Sequence, residues 1–122
     1  MFAVFEAQAQ KIAARPEVAA VGFDPFTIMI ILSTVLPMLA QCFQQSDEPD
    51  SAQVAARVRQ MNETHPNRLR ARTMVAVKRE AKKKGTRMTN EQAYVIADGI
   101  IAQTLETPDD TVQMCCAAAM AA

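Results

Sequence analysis

Apolar residues recur along this chain at three- to four-residue spacing and almost nowhere alternate with polar ones, so the pattern predicts helices and no strand. At the start, Phe2, Phe5, Ala9, Ile12 and Ala13 fall on one side of a short amphipathic helix over residues 2–14. Arg15-Pro16 ends it, because a residue before proline is pushed out of the α region. "EVAAVGF" then leads into the longest apolar run, which Asp24 and Pro25 open as a helix, one as the cap and the other in the first turn. "QQSDEPDS" is a polar break. It divides an N-terminal part, 1–46, from a C-terminal part, 47–122, the two being expected to form one cooperative unit. Beyond the break, Val54, Val58 and Met61 mark a helix over 51–63. "THPN" reads as a turn. Residues 67–84 read as a basic helix stopped by Gly85, and "TNEQ" at Thr89 to Gln92 as a capping box. The next helix carries Tyr94, Ala97, Ile100, Ile101 and Leu105 on one stripe. Pro108-Asp109-Asp110 breaks it before a last small-residue helix from Thr111. The expected fold is all-α, with five or six helices, extended rather than globular and ordered by its neighbours.

The apolar run sets the main question. From Pro25 to Ser46 there is no charged residue. Its apolar body, Pro25 to Phe43, has nineteen residues and would reach roughly 28 Å at about 1.5 Å each, close to the hydrocarbon thickness of a bilayer. Pro37 should kink this helix or end its first half. Two readings stand. The helix, at about 24–43, spans a membrane, or it is buried in a bundle or between subunits. A helix that is apolar all round needs partners all round, and a short chain has few helices to supply them, so the second reading predicts association with copies of itself. The interface, in lipid or in protein, would be Phe26, Ile28, Ile30, Ile31, Leu32, Val35, Leu36, Leu39 and Phe43. A cleaved export signal is disfavoured. "LAQC" at Leu39 to Cys42 resembles a lipoprotein cleavage box, but Gln41 stands where a small residue belongs, and Glu6, Glu17 and Asp24 lie upstream.

Composition changes the picture in one respect. The net charge is zero, yet eleven of the thirteen Lys and Arg lie between Arg57 and Arg87, against Glu63 and Glu80 alone, so that segment carries about +9. On a helix at 100° per residue, Arg68, Arg72, Lys78, Arg79, Lys82 and Lys83 fall within one sector of roughly 140°, with Arg87 just beyond. Leu69, Thr73, Ala76, Val77 and Ala81 lie largely opposite. Such a strip can displace condensed counterions from nucleic acid without reading sequence, and anionic lipid headgroups would also satisfy it. No aromatic residue interleaves with the cations, so base stacking is not expected.

Candidate chemistry is thin. His65 is a lone turn histidine. Cys115 and Cys116 sit among alanines with no base nearby, and adjacent cysteines rarely pair in a relaxed disulfide, so the three thiols, Cys42 included, are read as reduced. The glycines form no phosphate loop, and Gly99, inside a helix, suggests close helix packing. No enzyme, cofactor, metal site or small-molecule substrate is expected.

An uncharged helix opening "DPFTIMII", an acidic break, "NRLRARTMVAVKREAKKKG" and a capped amphipathic helix resemble, in their layout over residues 23 to 106, small internal or structural virion proteins of bacteriophages. The resemblance is one of layout and carries over no site residue. It implies a structural role: packing inside the particle, contacting the genome, or helping it across a cell membrane. The expected function is therefore a non-enzymatic component of a larger assembly, self-associating through the apolar helix and touching nucleic acid or anionic lipid through the basic one. Its partners would be its own copies and other assembly proteins, and its place a virion or the bacterial cytoplasm or inner membrane. Two alternatives remain open: a single-span bacterial membrane protein with a partner-binding helical domain, and a soluble oligomeric adaptor that binds an acidic protein.

Overall fold

In a computed structural model of the chain, which describes residues 2–42 and 54–121, every regular element is an α-helix. In order they are α1 (Phe2–Ala13), α2 (Pro16–Ala20), α3 (Pro25–Cys42), α4 (Val54–Thr64), α5 (Pro66–Lys83), α6 (Asn90–Glu106) and α7 (Asp109–Ala121). Among the described residues seven helices stand where five or six were expected. The additional one is α2, a turn and a half that starts at Pro16 and runs into "EVAAVGF". Arg15 is extended, as a residue before proline must be, but Pro16 then restarts a helix with its fixed φ.

The local stop and start signals act as read. Asp24 Oδ1 accepts the Thr27 amide at 2.7 Å and caps α3. Thr89 and Gln92 form a reciprocal capping box at α6: the Gln92 amide donates to Thr89 Oγ1 at 3.1 Å, and the Thr89 amide donates to Gln92 Oε1 at 3.0 Å. Gly85 has φ 73°, which a side chain would strain. There the Thr86 amide donates to the Ala81 carbonyl (2.9 Å) and the Gly85 amide to the Lys82 carbonyl (3.0 Å), closing α5 with the two bonds of a Schellman motif.

The helices are not extended apart. α3 packs against α1, α4, α5 and α7, while α6 packs against α1, α2, α4 and α5. One continuous cluster draws Ile12 from α1, Ile28 and Leu39 from α3, Val58 from α4, Leu69 from α5, Ile100 from α6 and Cys116 from α7. The accessible surface is 6818 Å², near the roughly 6,500 Å² of a compact monomer of this size. The chain's own helices therefore wrap α3, and the expectation that neighbours must do so is corrected. Seven helices, rather than a few, supply the cover.

The membrane-span reading gains no support either. Among the described residues no helix is long and apolar enough to cross a membrane. α3 carries Thr27, Ser33, Thr34 and an internal Pro37 along its length, and it buries Ile28, Ile31, Leu32, Val35, Leu36 and Leu39 in protein.

The N-terminal arm is fastened by a polar latch that the sequence pattern did not reveal. Arg15 donates both Nη1 and Nη2 to the Glu106 carboxylate, at 3.1 and 3.0 Å, and Nη1 also reaches Gln103 Oε1 at 3.0 Å. Below it, buried Thr107 Oγ1 lies 2.6 Å from the Gln103 carbonyl and 3.1 Å from Gln8 Oε1. Gln103 Nε2 donates to that hydroxyl at 3.3 Å. The latch joins α1, the α1–α2 turn and the end of α6. Close to it, Gly99 lets α2 approach α6: a Cβ there would stand 2.7 Å from Val18 Cγ2.

Candidate nucleic-acid interface

α5 is the basic helix, and its two faces are sharply unlike. Leu69, Thr73, Ala76, Val77, Glu80 and Ala81 are buried. Glu80 is the helix's single acid, and it is buried with the inward face. Arg68, Arg72, Lys78, Arg79, Lys82 and Lys83 are all exposed, as is Arg87 in the turn that follows. The expected strip is therefore present as one surface. Among the described residues none of these seven is ion-paired; the pairs are Arg15–Glu106, Arg59–Asp109 and Arg70–Asp98. Lys78 Nζ donates to Asn90 Oδ1, a neutral acceptor.

The seven do not form a uniform sheet of charge. At 100° per residue, Arg68, Arg72, Arg79 and Lys83 lie within about 60° of one another and form a straight ridge about 22 Å long. Lys78 and Lys82 stand off to one side, next to the turn that bears Arg87. Between them lies Val75, 56% exposed. Val75 falls in the cationic sector of the wheel, so its position is readable from the sequence. On the inward edge Arg70 behaves differently. Its guanidinium sits 4.9 Å above the Tyr94 ring and 3.4 Å from Asp98, which ties α5 to α6. Tyr94 is 45% exposed and so does not belong to the buried stripe of α6. That stripe is Ala93, Ile96, Ala97, Ile100 and Ile101.

The apolar interface residues part company. Ile28, Ile31, Leu32, Val35, Leu36 and Leu39 are buried in the chain's own core. They are therefore corrected from a surface offered to lipid or to copies into internal packing, because they face α1, α4, α5 and α7. Phe26 is 65% exposed and Ile30 partly so, on the outer edge of α3. Phe43 lies outside the described residues.

The residues considered for chemistry are dispersed. His65 is exposed, with Nδ1 3.0 Å from its neighbour Thr64 Oγ1. Cys115 and Cys116 are buried, their thiols beside the Val4 and Leu36 carbonyls, at 3.8 and 3.9 Å. Burial pushes the Cys115 thiol above its ordinary value, which disfavours the thiolate. Among the described residues no group of three His, Cys, Asp or Glu is placed to hold a metal ion. No family model, curated protein or solved structure matches this chain.

Proposed function

We propose that this chain is a non-enzymatic structural component of a larger, virion-like assembly, and that the α5 ridge holds nucleic acid by its phosphates. The observation that carries the reading is that, among the described residues, the exposed cations along one face of α5 have no carboxylate partner. Four of them, Arg68, Arg72, Arg79 and Lys83, lie in line, and a phosphodiester backbone presents charge in line. A lipid surface presents it in a plane. Binding by the ridge is electrostatic and blind to sequence, because nothing on it is shaped to read a base edge.

The test is fluorescence anisotropy with a labelled random-sequence duplex. Replacing Arg68, Arg72, Arg79 and Lys83 with Gln should abolish binding while leaving the helical circular dichroism intact, since all four side chains are exposed. Binding that survives this variant would refute the assignment. Vesicles of anionic lipid in a parallel arm separate the two polyanions: a chain that binds vesicles and not duplex sinks the nucleic-acid reading.

Association between copies is part of the proposal and uses the outer edge of α3, with Phe26 and Ile30, rather than its buried face. Light scattering on a sizing column should show a discrete oligomer for the native chain and a monomer for the Phe26→Ser, Ile30→Ser variant. A native chain that stays monomeric at high concentration contradicts it.

A further inference from the structure

The ridge leaves three cations unused, and they line a different feature. An open groove of about 870 Å³ runs between the C-terminal half of α5 and the turn into α6. This is within the roughly 300–1,000 Å³ of built binding sites. Its apolar lining is Val75 and Met88; its cationic lining is Lys78, Arg79, Lys82 and Arg87. Its walls are preformed. The Schellman bonds at Gly85 fix one end of the turn, and the Thr89–Gln92 capping box fixes the other. The Lys78–Asn90 hydrogen bond spans the two helices. Of the ridge residues, only Arg79 reaches into it.

This combination is unlike a phosphate track. A backbone of phosphates gains nothing from a half-exposed valine, and an isolated apolar floor between cations wastes part of the charge. A short peptide with one large apolar side chain between carboxylates matches both halves. The side chain covers Val75 and Met88 and removes them from water. The carboxylates meet Lys78, Lys82 and Arg87, which have no carboxylate partner among the described residues. We infer that this groove is the docking site for an acidic segment of a partner protein, anchored by a single aliphatic or aromatic residue. The inference does not depend on the ridge binding nucleic acid, because the residues that test each are different.

The experiment titrates the full chain with two labelled peptides of equal charge, one with Leu between Asp-Glu pairs and one with Ser in its place. The Leu peptide should bind about tenfold more tightly than the Ser peptide, the burial of one aliphatic side chain being the only difference. Val75→Ser should erase that difference, and Lys78→Gln with Lys82→Gln should weaken both peptides. Arg68→Gln with Arg72→Gln should leave peptide binding unchanged while reducing duplex binding. Val75, Lys78 and Lys82 are exposed, and unchanged circular dichroism confirms that each variant folds. Equal affinity for the two peptides, no binding of either, or indifference to Val75→Ser overturns the inference. So does a Val75→Ser variant that loses binding only to anionic vesicles, which would give the groove to lipid.

Discussion

Single residues set the joints of this fold, and three of them give sharp tests. Gly99 is where α2 meets α6, and an added Cβ would press on buried, β-branched Val18. Gly99→Ala should therefore destabilise, at about 1–3 kcal/mol for overpacking, set against up to about 1 kcal/mol of helix propensity gained. Urea unfolding measures the balance, and a more stable variant would show that α2 yields freely. Thr89→Ala removes the acceptor of the α6 cap and should cost about 1 kcal/mol in the same assay. Two carboxylates make stability depend on pH. The Thr27 amide holds Asp24 below its ordinary value, and the Arg15 guanidinium does the same for Glu106. A carboxylate whose folded value is depressed contributes stability above its unfolded value, and that contribution is lost as pH falls through the folded value. The thermal midpoint should thus fall as pH drops through and below the carboxylate range, less steeply in Asp24→Asn; identical slopes would remove Asp24 from the account. These joints were legible to different degrees. Asp24, Gly85 and the capping box are written in adjacent residues. The latch of Gln8, Arg15, Gln103, Glu106 and Thr107 joins positions about ninety residues apart, which no local pattern encodes.

Among the elements, α3 separates what periodicity can and cannot tell. Its composition is apolar enough to invite a bilayer or a subunit interface, and the pattern alone cannot say which atoms will surround it. The answer came from the number of helices that fold back on it, and α2 and the full packing of α1 were not visible in their short stretches. Leu32 and Phe26 now distinguish the inner face of α3 from its outer edge. Leu32 is buried in the core, so Leu32→Ala should cost about 2–5 kcal/mol. Phe26→Ser, on the exposed edge, should change monomer stability by less than about 0.5 kcal/mol. Guanidine denaturation at low protein concentration reads both, and equal costs would mean that α3 is not seated as described. α5 was legible for the opposite reason. Its cations need no partner to stand on the surface, so a helical wheel places them correctly. The wheel places Val75 there too. The groove beside Val75 needed the turn from Lys84 to Thr89 to become visible, because a cavity belongs to two elements and a periodicity to one.

At the scale of the whole molecule, charge and apolar surface are sorted into different places. The chain is neutral overall, yet its exposed cations crowd onto α5 and the following turn, and its carboxylates at α2, α6 and α7 are partly spent on the Arg15, Arg59 and Arg70 pairs. A neutral protein with such a face should attract polyanions only at short range and lose them readily to salt, since no net charge draws them from afar. The most direct test is the affinity of the native chain for a random-sequence duplex across salt concentrations. Neutralising the phosphates that the four-residue ridge can meet gives a log–log slope of about −4. A linear fall with a slope near that value is the predicted result. Affinity that is flat with salt, or no binding at low salt, contradicts the assignment of α5 as the nucleic-acid surface.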